Sequence, residues 1–431
     1  MRVLLIALQQ TTDGPASPEE QRHWTEQGAP MRLARLEEDH ALALACAMRD
    51  GGRLAPMLLC QKNSRLHRRA AALNLPILTA GGPMDFMRLW LWQRKHKHLL
   101  VQTFGESGMP LGRRMLTMRP PASTFLSHAF LLRAPRPEVC FGKGMLAAHK
   151  ILCGSSYVRD RIARASGITE GETPWRGPKN RALPLTDDTL TLTAPGMSLE
   201  GFEPAPAWPA EPAKDQRFVF CMGDALTPRS GAHIVIRAMA AIWQRRDLPT
   251  WEVHAAGGGP RFQEVLDEAE SLGVQSRLCL LNEQSLPHLL RTCHAWIAPG
   301  SAPDELPETL GAGLAAQIPV ICGQSALHAQ RLAAAPDAAC MFEENNPQSL
   351  AECMINVMAD AALRRRIVEA GNPLRPDLSH ESFALATCTR HEGWCSQLGW
   401  LEKSGQPQAQ QQEQTIGDHQ RAPRLRRQNA A

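Results

Sequence analysis

The sequence lacks the features that would place the protein in a membrane or in an oxidising compartment. Its opening apolar stretch, Met1–Leu8, ends at two glutamines, and no run approaches the roughly 20 apolar residues that a spanning helix needs. The twelve cysteines occur singly, and none forms a C-x-x-C pair. We therefore expect free thiols of a reducing compartment, no secretion signal and no membrane crossing, which together predict a cytoplasmic chain.

Metal-ligating side chains are also sparse. Cys388, His391 and Cys395 would share one face of a helix, but a structural zinc site takes four ligands and no fourth candidate lies nearby in the sequence. We therefore expect no metal site on spacing alone.

The residues that are present have the composition of an ordinary globular protein with an uneven charge. The 431 residues suggest two or three domains, and 43% of them are apolar and 21% charged. The net charge is only +4, yet residues 51–150 hold 16 lysines and arginines against three acidic residues. Such a segment would attract an anionic surface or acceptor. Nucleic acid is not the expected partner, because no recognition motif accompanies the charge.

Short apolar strands alternate with helix-length segments along the first 200 residues. Helices are predicted at 32–49, 63–73 and 84–97. Strands are predicted at Arg2–Leu8, Met57–Cys60, Pro76–Thr79, Leu99–Thr103, Thr124–Ser127 and Ile151–Cys153. This alternation is typical of a parallel sheet with helices on both faces.

A proline-rich stretch, residues 203–214, precedes a second series of the same kind. Its strands are predicted at Phe218–Met222, Glu252–Ala256, Leu278–Leu281, Ala295–Ala298 and Pro319–Cys322. Its helices are predicted at 231–245, 260–273, 285–293, 306–317, 347–358 and 379–400.

We therefore predict an α/β protein with two doubly wound, Rossmann-like parallel-sheet domains that face a cleft. The predicted parts are a first domain at 1–200, a linker at 201–216, a second domain at 217–375, a segment at 376–403 whose helix packs back on the first domain, and a disordered tail at 404–431.

Three strand-to-helix connections of the second half carry residues suited to an anionic ligand. FVFCMGDALTPRSG turns at Gly223, and such a turn presents backbone N–H groups to an anion. The second connection, in the stretch HAAGGGPRF, has three glycines at 257–259 that let the backbone approach a ligand closely. The third connection places Asp304, Glu305 and Glu308 at the start of a helix, in the stretch WIAPGSAPDELPETLGAGLAAQIPVIC. Each pattern alone is equally typical of a plain α/β turn, or of carboxylates that complement a helix dipole.

In this order, the three connections resemble those of the family 4 glycosyltransferases, group 1 enzymes with the two-Rossmann architecture called GT-B. That family reads G-R-x(4)-R-K-G, G-x-G-P and P-S-x(2,3)-E-G-x-P/G-x(4)-E-A-x-A-x-G-x-P-V at these places. DELPETLGAGLAAQIPV aligns with the last pattern, from its first Glu onward, without a gap. Three segments of the first half also resemble the family. A family strand that ends in histidine is similar to FLSH, and a family strand-Ser-helix segment is similar to ILCGSSYVRDRI. The family turn before the linker is similar to APGMSLEGF.

The resemblance implies transfer of a sugar from a nucleotide-diphosphate sugar to an acceptor, with retention of configuration, in cell-surface glycan or lipopolysaccharide assembly. The second domain would hold the donor and the first domain the acceptor. His128 and Asp304 are the implied catalytic residues. The implied donor-binding residues are Gly223, Arg229, Gly258, Gly259, Pro260, Glu305, Leu306 and Thr309. The family needs no metal and no resident cofactor, because basic side chains and helix N-termini balance the diphosphate charge.

The chain departs from the family pattern at the phosphate and ribose contacts. Asp224 stands where the family has arginine, Ser230 where it has lysine, and Ala312 where it has the ribose-binding glutamate. Asp224 would repel a diphosphate, and Arg229 is the nearest substitute cation. Two other hypotheses therefore stay open: a catalytically inactive relative that binds or scaffolds, and a different two-Rossmann sugar enzyme. His128 also fits a buried core histidine.

Residues 86–100, FMRLWLWQRKHKHLL, combine tryptophans with cations. Trp90 and Trp92 beside Arg94, Lys95 and Lys97 suit a membrane interface, and would go with an anionic lipid or glycan acceptor. This interpretation predicts peripheral contact with the inner face of a membrane. The alternative is a helix that packs its apolar face on the sheet and carries cations at its C-terminus.

Overall fold

The computed structural model describes residues 1–8, 29–105, 107–118, 123–132, 148–166, 189–205, 207–208, 216–223, 230–256, 261–281, 286–300 and 307–401. Among these residues, no helix combines the length and the apolarity that crossing a membrane requires.

The first domain is built on a seven-stranded parallel sheet with strand order 3-2-1-4-5-6-7. Its strands are β1 (Arg2–Ile6), β2 (Ala55–Gln61), β3 (Ile77–Ala80), β4 (His98–Phe104), β5 (Thr124–Leu131), β6 (Lys150–Cys153) and β7 (Leu190–Leu192). Its helices are α1 (Ala29–Gly51), α2 (Arg65–Ala72), α3 (Pro83–Arg94), α4 (Met109–Thr117) and α5 (Ser156–Ser166). The central strands are buried almost throughout, as expected for a parallel sheet covered on both faces.

The second domain is built on a six-stranded parallel sheet with strand order 10-9-8-11-12-13. Its strands are β8 (Phe218–Gly223), β9 (Trp251–Ala256), β10 (Leu278–Leu281), β11 (Ala295–Ala298), β12 (Val320–Gly323) and β13 (Cys340–Phe342). The associated helices are α6 (Ala232–Ile242), α7 (Phe262–Ser271), α8 (Leu286–Leu290), α9 (Pro307–Ala315), α10 (Ala326–Arg331), α11 (Pro347–Ala359) and α12 (Ala361–Gly371). Short 3-10 turns occur at Gln275–Arg277, Pro336–Ala338, Asn372–Leu374 and Pro376–Leu378.

A last helix, α13 (His380–Gln397), returns to the first domain and packs against α1. Ser379 caps it by accepting a hydrogen bond from the Ser382 N–H. Phe383 and Trp394 of α13 are buried in the same cluster as the apolar residues of α1 and α2. The opposite face of the first sheet is covered by α3 and α4, through Leu89 and Met115.

The chain passes between the domains at a tight crossing of two backbone segments. The Met197 N–H donates to the Leu378 carbonyl at 2.7 Å, and the His380 N–H donates to the Met197 carbonyl at 3.1 Å. A Cβ on Gly196 would lie 2.7 Å from the Ser379 carbonyl carbon and 2.8 Å from the His380 Cα. Only a residue without a side chain fits there.

The predicted fold class, two doubly wound parallel-sheet domains, is confirmed. The pattern missed the edge strands β7 and β13, since three residues carry too short an apolar run. It also missed α10 and α12 in the second half. The predicted domain boundaries stay predictions, and the predicted tail at 404–431 lies outside the described residues.

Candidate functional site

The carboxyl ends of the two sheets face each other across the domain boundary. Ser156 opens α5 just after β6, and Gln330 lies on α10 just after β12. The Ser156 N–H donates to the Gln330 side-chain oxygen at 3.0 Å, so these two ends are in contact. Open α/β sheets bind ligands outside the carboxyl ends of their strands. The cleft between the domains is therefore the candidate site.

The three motif-bearing connections follow three strands that are neighbours in the second sheet. Residues 224–229 follow β8, residues 257–260 follow β9, and residues 301–306 lie between β11 and α9. The sheet order places β9, β8 and β11 side by side, and all of them run parallel. The topology therefore starts all three connections at one edge of one sheet, the edge that faces the cleft.

Pro299 organises the centre of this edge. Gly231, which precedes α6, has φ of 74°, and a Cβ there would lie 2.7 Å from the Pro299 Cβ. On the other side, a Cβ on Gly323 at the end of β12 would lie 3.0 Å from the Pro299 carbonyl oxygen. Glycine at both positions lets the ends of β8, β11 and β12 approach one another. As a result, the N-terminus of α6 lies at this edge, where the Ser230 hydroxyl accepts a hydrogen bond from the Ala232 N–H at 3.4 Å.

Helix α9 is fixed to the sheet by small residues and one indole. The Trp296 indole N–H donates to the Thr309 carbonyl at 2.5 Å. A Cβ on Gly313 would lie 2.8 Å from the Trp296 Cβ, and a Cβ on Gly311 would lie 2.6 Å from the Met197 sulfur. Ala312 is fully buried in the core cluster beneath the helix. The position predicted to align with the family's ribose-binding glutamate is therefore filled by an apolar packing contact.

Of the residues predicted to bind the donor, Gly223 and Thr309 are described. Gly223 is the last residue of β8 and is buried, and Thr309 lies in the first turn of α9 and is also buried. The other predicted site residues, apart from His128, lie outside the described residues: Arg229, Gly258, Gly259, Pro260, Asp304, Glu305 and Leu306. Their roles stay predictions.

His128 lies inside β5, with Gln102 and Lys150 as its neighbours on the adjacent strands. Its side chain is fully buried beneath α13, with its Nε2 atom 2.6 Å from the Nε2 atom of His391. The Trp394 ring packs edge-on against it, with 5.1 Å between the ring centroids. The structure thus gives His128 a packing role, and its catalytic role stays a prediction.

Burial keeps the two paired histidines neutral. It lowers the pKa of His128 well below its usual value, and the neighbouring His391 lowers it further. Burial also lowers the pKa of His391 to about 3. One neutral ring must therefore donate its Nε2 hydrogen to the unprotonated Nε2 atom of the other.

Residues on α10 contribute to this edge without having been predicted from the sequence. His328 is fully buried, and its Nδ1 atom is 2.8 Å from the Gly323 carbonyl, which accepts a hydrogen bond from it. Ser325 caps the helix by accepting from the His328 N–H. A serine shortly after an apolar strand is a helix-start signal, which would have located α10 after β12.

The segment that carries Cys388, His391 and Cys395 is helical, as the zinc hypothesis required, and all three side chains are buried. Within the described part of the chain, no three His, Cys, Asp or Glu side chains are grouped so that they could hold a metal ion. The cysteines described there form no disulfide.

Comparisons with known proteins agree with this architecture. The family model described as "Glycosyl transferases group 1" matches residues 206–372, which include the whole second sheet. No curated protein matches the chain by sequence.

Solved structures resemble the chain over nearly its full length. HepE of Anabaena in complex with UDP superposes with a TM-score of 0.62 at 13% identity, covering 91% of this chain and all of that chain. A glycosyltransferase of Rickettsia africae superposes with a TM-score of 0.63 at 14% identity, covering 92% of this chain and 98% of that chain. The lipopolysaccharide outer core galactosyltransferase WaaB superposes with a TM-score of 0.61 at 11% identity, covering 91% of this chain and 99% of that chain. The chain therefore has the GT-B fold, and residues 206–372 are similar to the group 1 glycosyl transferases.

Proposed function

We propose that the protein transfers a sugar from a nucleoside diphosphate sugar to an acceptor, and that the donor binds at the carboxyl edge of the second sheet. One observation carries the proposal: the three motif-bearing connections begin on the neighbouring strands β9, β8 and β11, at the edge that faces the first domain. The family match over the second domain supports the same reaction class. HepE and WaaB, which share the fold, are described as a UDP complex and a galactosyltransferase, so uridine diphosphate is the first nucleotide to test.

The chemical demand of this reaction is the negative charge that develops on the departing diphosphate. Donors held in place beforehand stabilise such charge most effectively, because they need no rearrangement during the reaction. The N-terminus of α6 places the positive end of a helix dipole at the edge, and Arg229 is the cation nearest to it in the sequence. We propose that these groups replace the arginine and lysine that the family pattern has at Asp224 and Ser230.

The family 4 resemblance further supports retention of configuration and an acceptor bound by the first domain. The basic excess of residues 51–150 favours an acidic glycan or a phosphorylated lipid as that acceptor. Assembly of a cell-surface glycan is the process that fits such an acceptor.

Changing Asp304 to alanine tests the donor site. We expect transfer to fall at least tenfold, since a carboxylate that accepts sugar hydroxyls would be lost. The measurement is transfer of labelled sugar by the purified protein, together with its thermal unfolding midpoint. Asp337→Ala is the matched control, because Asp337 is exposed in the turn that precedes β13, away from the carboxyl edge. If both variants keep wild-type transfer, the assignment of Asp304 is wrong.

A catalytically inactive relative is the second candidate function. Ala312 supports it, because this residue is fully buried against the core and offers no oxygen to a ribose. Such a protein would show no transfer with any donor and no stabilisation by nucleotides. It would instead retain a protein partner that an active enzyme does not need.

A further inference from the structure

Helix α3 exposes an apolar stripe on the outer surface of the first domain. Met84, Met87 and Leu91 are 58%, 44% and 48% exposed. Their spacing of three and four residues puts them on one face of the helix. Phe86 projects from another side of the helix and is 39% exposed. Large apolar side chains grouped on a surface mark a contact with something else.

The stripe is not the side of α3 that holds the fold together. Leu89 and Gln93 face the sheet and are almost fully buried. The Gln93 amide N–H donates to the Met115 carbonyl at 3.0 Å, which fixes α3 against α4. The helix is thus apolar on its sheet side and again on its solvent side, and the solvent side has no packing function among the described residues.

Cations surround the stripe. Arg88, Arg94, Lys95 and Lys97 are all exposed along α3 and the turn that follows it. The Arg94 guanidinium lies 4.6 Å from the centre of the Trp90 ring, which holds the cation beside the stripe. Asp85 is the one carboxylate of this helix. It accepts a hydrogen bond from the Thr79 hydroxyl at 3.1 Å and forms an ion pair with the Arg88 guanidinium at 3.6 Å, which leaves the positive charge concentrated at Arg94, Lys95 and Lys97. The surface is therefore apolar along its centre and positive at its edges.

We propose that this face of α3 docks the protein onto an anionic lipid bilayer. The stripe would enter the boundary between headgroups and acyl chains, while the flanking cations contact lipid phosphates. The two kinds of contact require a surface that is both apolar and negative, and a bilayer with anionic lipids offers both. The inference goes beyond the proposed function and does not depend on it, because it concerns a surface formed by the first domain alone.

Vesicle flotation with the full-length chain tests the proposal. We expect binding to vesicles of phosphatidylglycerol and phosphatidylcholine, little binding to phosphatidylcholine alone, and weaker binding as salt is raised. Met87→Gln combined with Leu91→Gln should weaken binding about tenfold or more, because apolar insertion is lost. Lys95→Gln combined with Lys97→Gln should weaken it to a similar extent and reduce the salt dependence.

Matched controls separate this surface from general stickiness and from donor binding. Leu385→Gln removes an exposed leucine of α13, and Arg365→Gln combined with Arg366→Gln removes two exposed cations of α12. Both variants should bind vesicles like the wild type. The thermal midpoint should be unchanged in every variant, because the replaced side chains are exposed. Absence of wild-type binding to anionic vesicles, or equal binding by the α3 variants, would overturn the proposal. So would a dimer that the Met87 and Leu91 changes dissociate, since a second copy would then be the occupant.

Discussion

Replacing Gly196 with alanine should destabilise the protein by about 3 kcal/mol or more, the upper range for overpacking a rigid site. The new Cβ would meet backbone rather than a flexible side chain, at 2.7 Å from the Ser379 carbonyl carbon and 2.8 Å from the His380 Cα. The segments at 197 and 379 would have to separate, and their mutual hydrogen bonds would lengthen. The Gly196 N–H also donates to the buried Nε2 atom of His40 at 2.8 Å, so the shift would disturb a second contact. Chemical denaturation measures the loss directly.

Gly393→Ala is the matched control for this prediction. Gly393 lies within α13 and a Cβ there would meet nothing within 4 Å. Alanine should stabilise a helix at such a position by about 0.5–1 kcal/mol. If Gly196→Ala were as stable as the wild type, the two backbone segments could not be packed as tightly as the 2.7 Å and 2.8 Å approaches require, and this prediction would be wrong.

Acidification should destabilise the protein strongly, through two histidines buried where α13 packs on the first domain, His40 and His391. Burial, together with the nearby His380, lowers the pKa of His40 to about 3. Burial also lowers the pKa of His391 to about 3. In the unfolded chain both rings titrate near 6.5, so below that pH the unfolded state binds more protons than the folded state. The stability is therefore fully present above about pH 6.5 and is lost as the pH falls toward about 3.

At about pH 5, each of these two histidines should have removed about 2 kcal/mol from the free energy of unfolding. The hydrogen bonds of the His40 ring explain why its protonation would destabilise the folded protein. Its Nδ1 hydrogen is donated to the Leu36 carbonyl at 2.6 Å, while its Nε2 atom accepts from Gly196. A second proton on Nε2 would face an N–H donor in a site without water contact.

Denaturation curves between about pH 7 and about pH 5 check this prediction. His40→Gln should be less stable at neutral pH but should lose about 2 kcal/mol less on acidification, because one titrating group is gone. His288→Gln should keep the full pH dependence, since His288 is exposed in the described chain. A free energy of unfolding that stays flat across this range would contradict the placement of these rings.

The two-domain fold was predictable because its signal is local and repeated. Apolar runs such as Leu278–Leu281 and Ala295–Ala298 are strands with the predicted bounds. The sheet order also follows general rules, since short parallel strands with helical connections have few alternatives. The start of α10 was missed although Ser325 marks it, because a six-residue helix gives almost no apolar periodicity.

The candidate site was predictable only in part, since much of it depends on contacts between distant segments. The connections after Gly223 and Ala256 could be assigned to a sheet edge from strand order alone. The pairing of His128 with His391, which are 263 positions apart, depends on how α13 returns to the first domain. Likewise, no pattern near Gly196 indicates that Ser379 will cross it. Burial of His128 is decided by that crossing, so its environment could not be deduced from its own strand.

Thermal unfolding of the wild-type protein with nucleoside diphosphates and their sugars tests the central claim most directly. A ligand that binds only the folded protein raises the unfolding midpoint by mass action. The proposed donor site predicts a clear rise with at least one sugar nucleotide, with the uridine compounds as the first candidates. No rise with any of them, up to about millimolar concentration, would contradict the claim that the second domain holds a nucleotide sugar.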